Sequence, residues 1–312
     1  MRYQAELGNE KLKRCCLADM AADNAVLEAV NCNLCGSTDE KLLFIKDGLR
    51  IVRCNSCGLM FVNPRPKKEY LQKLYSEGYY RISKNDSIGY RDYEADRRYH
   101  IANFKKLLDS IESFKEGGRL LDVGCAVGFL LEEAKAQGWD VYGAEMSFYA
   151  VNKAREKGLN VFAGDITDTG FENNFFDVIT CLGTIEHLPN PVAAIRKINR
   201  ILKDDGLFVL STPDAGGLIG GRRFQYKPKE HLYYFTNETI KRMFEREGFK
   251  ILFIAGERLK KPLHFILERL GYYFPHSNRV VRVLEAIFKR LGILSAGITI
   301  PTGQMIVYAK KG

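Results

Sequence analysis

The 312-residue sequence predicts an α/β protein: a mostly parallel sheet wound on both faces by helices, with a small cysteine-bearing module ahead of it. Three observations predict this. From Arg119 to Asp214 short apolar runs alternate with helix-period segments, and β-α-β units of that kind cover both faces of a parallel sheet. The first unit, "LLDVGCAVGFLLEEAKAQG", joins strand to helix through a glycine turn. Upstream stand two C-x-x-C pairs, Cys32/Cys35 and Cys54/Cys57.

Composition sets the bounds. With 46% hydrophobic and 27% charged residues, the chain can bury one large domain plus small appendages. No apolar run reaches the roughly 18 residues that read as a membrane span. Residues 1–30 mix acids and bases without an apolar signal core, so a cytoplasmic protein is expected. The formal charge of +9 admits RNA, acidic lipid or a phosphorylated substrate and does not choose among them.

Residues 1–30 read as a leader, helical or disordered. Residues 31–63 read as a zinc ribbon: "CNLCGS" and "CNSCGL" nearly repeat, and each sets two thiolates on one side of a tight turn. Between them "LLFIKDGLRIV" is a hairpin bending at Asp47-Gly48. Four thiolates leave no open coordination position, so zinc here is structural; a redox dithiol is the competing reading. Residues 64–114 are a linker and helical region. Its prolines hold Asn63 to Pro66 extended, a short helix follows over 69–75, and a helical pattern runs from Asp92 to Phe114. Tyr70, Tyr75, Tyr79, Tyr80, Tyr90, Tyr93 and Tyr99 either pack the ribbon onto the main domain or wall a substrate.

Residues 115–312 form that main domain. "RLLDVG" is a buried strand ending at Asp122, and Gly138 closes the helix after it. A dinucleotide fingerprint, G-x-G-x-x-G, would need glycine where Ala126 and Phe129 stand; the frame that fits is D-x-G-x-A-x-G, with Asp122, Gly124, Ala126 and Gly128. "DVYGAE" is a second strand whose terminal Glu145 can accept from ribose hydroxyls, and Ser147 caps the next helix. "NVFAGDI" is the third strand, bearing Asp165 and Ile166. "FFDVITCLGTIEHL" is the fourth, with Leu182 near its end, and the helix "PVAAIRKINRILKDDG" follows. "LFVLSTPD", "KILFIAGE" and "GQMIVYAKK" supply strands five to seven. No P-loop sequence occurs.

In this order the motifs resemble the class I S-adenosylmethionine-dependent methyltransferases, with alanine at the middle glycine of their motif I. The resemblance implies a Rossmann-like seven-stranded sheet whose last strand is antiparallel, with S-adenosylmethionine as cofactor. It places Asp122 near the methionyl amine, Gly124, Ala126 and Gly128 at the glycine loop, Glu145 on the ribose, Asp165 and Ile166 at the adenine, and Leu182 in the same binding set. Acidic groups suit a sulfonium cation, whereas a phosphate cofactor would need Lys or Arg. Plain structural roles stand beside these: a turn cap for Asp122, a solvated strand end for Glu145 and a turn former for Asp165.

Methyl transfer is an in-line displacement that needs alignment and, for many acceptors, a base at the C-terminal strand ends. Two Glu-His pairs fall there. "TIEHLPNP" brings Glu186 and His187, the latter either organising its loop or touching the site. "KEHLYYFT" brings Glu230 and His231, which resemble the catalytic Glu-His of sugar C-methyltransferases that also begin with a zinc ribbon. The resemblance implies a small-molecule, sugar or glycan acceptor, a place in polysaccharide biosynthesis and His231 as base; a loop histidine is the alternative. Those enzymes carry a further C-terminal domain not seen here, which leaves O-methylation of a glycan or lipid-linked sugar open.

Residues 258–294 read as a helical insertion holding eight Lys or Arg against Glu268 and Glu285, with apolar residues at helical spacing. It is either a lid or dimer helix, or a peripheral contact with an anionic membrane on the cytoplasmic side. Two other functions compete. One is an RNA base methyltransferase; its case is weakened by a ribbon with four cations against three anions, a poor footprint for nucleic acid. The other is a non-catalytic cofactor-binding scaffold.

Overall fold

In the N-terminal module, β1 (Leu27–Glu28), β2 (Glu40–Lys46), β3 (Leu49–Cys54), β4 (Met60–Val62) and β5 (Arg65–Pro66) follow one another. The computed structural model describes residues 26–74, 96–218, 221, 226–273 and 278–312; most of the leader, and Tyr75, Tyr79, Tyr80, Tyr90 and Tyr93, lie outside them. β2 and β3 form the expected hairpin, with Asp47 and Gly48 at φ 51° and 79° at its bend. β4 adds antiparallel to β3, and β1 pairs with β5. The short helix α1 spans Lys68–Leu74.

The main domain opens with α2 (Arg97–Glu112). β6 (Arg119–Val123), α3 (Phe129–Ala136), β7 (Asp140–Glu145), α4 (Phe148–Glu156) and β8 (Asn160–Ala163) come next. After them run β9 (Phe176–Leu182), α5 (Pro191–Ile201), β10 (Leu202–Pro213), β11 (Tyr233–Tyr234), α6 (Asn237–Arg246), β12 (Phe249–Pro262), α7 (Leu263–Tyr273), α8 (Asn278–Arg290) and β13 (Gly297–Lys311). Seven strands form one sheet in the order β12-β13-β10-β9-β6-β7-β8. β10, β9, β6, β7 and β8 are mutually parallel, and β13 runs antiparallel to both β10 and β12. The expected Rossmann-like sheet with an antiparallel last strand is therefore present.

Strand alternation builds the two layers. Leu120, Val178 and Val209 face α2 and α3 in one apolar cluster, while their neighbours Leu121, Ile179 and Phe208 face α5 and α6 in the other. Burying a side chain of this size stabilises by about 1.5–3 kcal/mol, which is why both faces demand a helical cover.

Two boundaries differ from expectation. α5 ends at Ile201, because Leu202 already pairs with Phe176 in the sheet. β12 continues past Glu257 to Pro262, pairing Arg258–Pro262 with Gly297–Pro301, so the helices of the insertion start at Leu263 rather than at residue 258. Over Arg258 to Lys261 exposure alternates with strand period, and Pro262 sits where the helix first turn needs no N–H.

The cysteine module is fused to the domain through β11. Tyr233 and Tyr234 pair antiparallel with Phe61 and Met60, giving a four-stranded sheet in the order β11-β4-β3-β2. Arg65 donates to the Pro189 carbonyl at 2.6 Å and to Tyr233 Oη at 2.7 Å. Arg242 and Arg246 of α6 donate to the carbonyls of Cys57 and Leu34. Cys32, Cys54, Leu59 and Phe61 are buried in the same cluster as Ile195 and Phe244. Among the described residues no helix is long and apolar enough to cross a membrane.

Candidate active site

The glycine loop leaves β6 at Val123 and enters α3 at Phe129. Gly124, at φ 78°, lies so close to Thr184 that a methyl there would collide with its side chain; Gly128, at φ 84°, would collide with Leu159. Ala126 is itself left-handed, with φ 49°, the one place where the sequence departs from the glycine pattern. Its N–H donates to Glu145 Oε2 at 3.0 Å, and the Ser147 N–H donates to Glu145 Oε1 at 2.8 Å. The end of β7 is thus tied to the glycine loop, and Ser147 caps α4 by accepting from Ala150.

Asp122 and Glu145 are both buried. Asp122 Oδ1 accepts from Thr180 Oγ1 at 2.7 Å; burial pushes its carboxyl up to about 7, with the charge of Glu145 adding to the rise. Burial also raises Glu145, against the pull of its backbone N–H bonds. A cationic ligand beside these two carboxyls would favour their charged forms. Asp165 accepts from the N–H and the hydroxyl of Thr167 and caps a short 3₁₀ turn over Ile166–Asp168; Ile166 is buried and Leu182 half-buried.

Two loops at the C-terminal strand ends bring both Glu-His pairs together. A 3₁₀ turn, Ile185–His187, follows β9, and the segment before β11 lays Glu230 and His231 against it. The Leu232 N–H donates to the Glu186 carbonyl at 2.8 Å, locking the loops together. The rings of His187 and His231 meet edge to face with centroids 4.7 Å apart. His187 Nδ1 lies 2.9 Å from the Glu230 carbonyl; since a carbonyl only accepts, Nδ1 carries the proton and Nε2 the lone pair of the neutral ring. Burial holds His187 down to about 4 and His231 well below the usual imidazole range, so both are neutral at pH 7. His231 Nδ1 is buried without a hydrogen-bond partner.

The carboxylate beside the rings belongs to Glu186, whose Oε1 is 3.9 Å from His187 Nε2 and whose Oε2 accepts from Thr212 Oγ1 at 2.9 Å. Burial pushes it up to about 7. Glu230 presents its carbonyl to His187, while its carboxylate lies 3.7 Å from Lys227 Nζ. Side-chain donor atoms of Glu186, His187 and His231 all lie within 4.8 Å of one another, a set that could hold a cation. Thr180, Thr184, Thr212 and Glu257 escaped the sequence reading. No motif marks them; Glu257, pushed up to about 7 by burial, reaches the neighbourhood of Glu186 only because β12 lies parallel to β10 across β13.

In the N-terminal module, Cys32, Cys35, Cys54 and Cys57 bring their sulfurs within 4.8 Å of one another. Sγ separations of 3.4 Å for Cys32–Cys57 and 3.5 Å for Cys35–Cys54 show the two turns interleaved. Four thiol donors closing on one point, with Gly36 and Gly58 N–H groups bonded back to Cys32 and Cys54, fit a tetrahedral zinc ion.

The strand order, the antiparallel last strand and the glycine loop facing an acidic strand end define the class I S-adenosylmethionine-dependent methyltransferase fold. Residues 93–253, just over half the chain, match a family described as a methyltransferase domain, and the chain belongs to that family. It is 36% identical over 107 residues to a ubiquinone biosynthesis O-methyltransferase of Glaesserella parasuis, covering 31% of this chain and 45% of that relative. A protein of the same name from Pseudomonas aeruginosa is 36% identical over 103 residues, covering 31% and 44%. The chain thus spans under half the length of these relatives. A S-adenosylmethionine-dependent methyltransferase from Archaeoglobus fulgidus shares the fold, with a TM-score of 0.50 and 20% identity over 70% of this chain and all of that one.

Proposed function

We propose that the protein transfers a methyl group from S-adenosylmethionine to an oxygen of a small-molecule, sugar or lipid-linked glycan acceptor, with His231 as base. The observation that carries the reading is the neutral His231 ring, set edge to face against His187 and close to Glu186 at the C-terminal strand ends. The relatives' name, an O-methyltransferase, favours oxygen as the atom methylated.

Bound S-adenosylmethionine would supply an electrophilic methyl group on a sulfonium. Asp122 and Glu145 would hold its cationic and hydroxyl groups, since they are the buried acids flanking the glycine loop. The contact of Gly124 with Thr184 sets the Glu186–His187 turn beside that loop, so an acceptor over the histidines would face the methyl donor in line. The His231 ring would take the hydroxyl proton as the oxygen attacks. The resulting imidazolium would lie near the Glu186 carboxylate, whose charge favours it. The four cysteines would hold structural zinc that keeps β3 and β4 in place for β11, the strand that begins two residues after His231.

Incubation with methyl-labelled S-adenosylmethionine and host extract separated into RNA, lipid, polysaccharide and nucleotide-sugar fractions tests this. Label in a sugar-bearing or lipid fraction, lost with His231→Gln, supports it; label in RNA alone overturns the acceptor class.

A further inference from the structure

The insertion between β12 and β13 carries an apolar stripe that the fold leaves uncovered. On α8, Val280, Val283 and Ile287 are 61%, 58% and 46% exposed, and Leu291 just beyond it is 63% exposed. Their spacing of three and four residues sets all four on one face. Val281, Leu284 and Phe288 are less exposed and form the inner face against α7, so the outer stripe is surplus to packing. Arg279 and Arg290 border it on one side, Arg282 and Lys289 lie on the opposite face of the helix, and none of the four makes an ion pair with another described residue. Leu270 of α7 and Ile293 and Ile298 beyond α8 are also exposed.

Topology decides where this face lies. β12 is parallel to β10, so its end at Pro262 falls on the same sheet edge as Val123, Glu145, Leu182 and Pro213, where the cofactor and acceptor loops gather. The helices leave from that edge, and the strand end before them and the loop after them are tied to α2. Asn103 exchanges two hydrogen bonds with the Lys260 backbone, and Tyr99 and Arg98 donate to the Ser295 carbonyl.

We propose that α7 and α8 form an interfacial foot that lies on an anionic lipid bilayer, the stripe entering the headgroup boundary and the arginines meeting lipid phosphates. Arginine beside an apolar stripe suits that surface, because its stem lies along the acyl boundary while its guanidinium bonds phosphate. Placement on the active-site edge makes the acceptor a membrane-held molecule whose reactive hydroxyl reaches the histidines from the lipid side. This last step rests on the methyltransferase reading; the foot itself does not.

The test is sedimentation of the full-length protein with vesicles of phosphatidylcholine alone and of phosphatidylcholine with phosphatidylglycerol. Binding to the anionic vesicles, weakened by salt, is expected. Arg279→Gln and Arg290→Gln together should lower it by roughly fivefold for each cation removed. Val283→Glu with Ile287→Glu should abolish it while S-adenosylmethionine binding, measured by calorimetry, stays unchanged. Absence of sedimentation overturns the proposal. So does self-association in the ultracentrifuge that Val283→Glu with Ile287→Glu abolishes, since the stripe would then cover a second copy of the chain. Loss of cofactor binding by the unmodified protein would instead overturn the methyltransferase reading and leave the foot standing.

Discussion

His187 and His231, brought from separate loops, meet edge to face with ring centroids 4.7 Å apart, and the Glu230 carbonyl between their loops fixes the tautomer of His187. The pair is neutral by burial, which is the state a base requires.

His231→Gln is expected to cut kcat by about 100-fold or more while leaving the Kd for S-adenosylmethionine unchanged. Calorimetry alongside turnover separates the two. Because the pair is assigned as a base and not as a ligand set, a chelator that leaves the four-cysteine site loaded should not alter turnover. Loss of activity restored by a divalent cation would transfer the role to a metal held by Glu186, His187 and His231.

Cofactor affinity should depend on Asp122. Its carboxyl titrates at about 7 in the folded protein, so the charged form that attracts a cation is lost as pH falls through 7. S-adenosylmethionine should bind more weakly at pH 6 than at pH 8. Asp122→Asn should flatten that dependence and weaken binding by about 1.5–3 kcal/mol, the range of a hydrogen bond to a charged group. For stability the sign is reversed: a carboxyl raised by burial favours the fold at low pH, and that contribution is lost as pH rises towards 7.

His187 acts the other way. Unfolded, it binds a proton below about 6.5; folded, it resists until about 4. Its burial therefore costs stability as pH falls across that window. Urea unfolding at pH 7.5 and 5.5 should show a smaller drop for His187→Gln than for the unmodified chain.

The glycine loop separates two substitutions that look alike. Gly124→Ala places a methyl on Thr184 and should abolish cofactor binding. Ala126→Gly removes a side chain from φ 49° and should be stabilising or neutral, by up to about 1 kcal/mol, with kcat/KM retained.

Phe61→Ala should cost about 3–5 kcal/mol, because the ring is buried where β4 meets β11. The acceptor KM should rise more than the cofactor Kd, since β11 anchors the His231 loop and not the glycine loop. Zinc content per chain should be one ion for the unmodified chain and fall towards zero in Cys54→Ser, with a lower Tm.

The sequence by itself determined the local elements that periodicity and turn chemistry dictate. Alternating apolar runs wrote the central strands, Asp47-Gly48 the hairpin, Ser147 a helix cap and two C-x-x-C turns the sulfur cluster. Each depends on residues a few positions apart. Tertiary structure decided what stands around the histidine rings. Packing between two loops turned the Glu230 carbonyl to His187 and set Glu186 beside the rings. Strand pairing between Tyr233 and Phe61 joined the cysteine module to the His231 loop, and pairing of Arg258–Pro262 with β13 extended a strand into the expected helix. These outcomes depend on partners far apart in the chain, brought together by burial of both faces of one sheet, and no local pattern of residues encodes which partner is met.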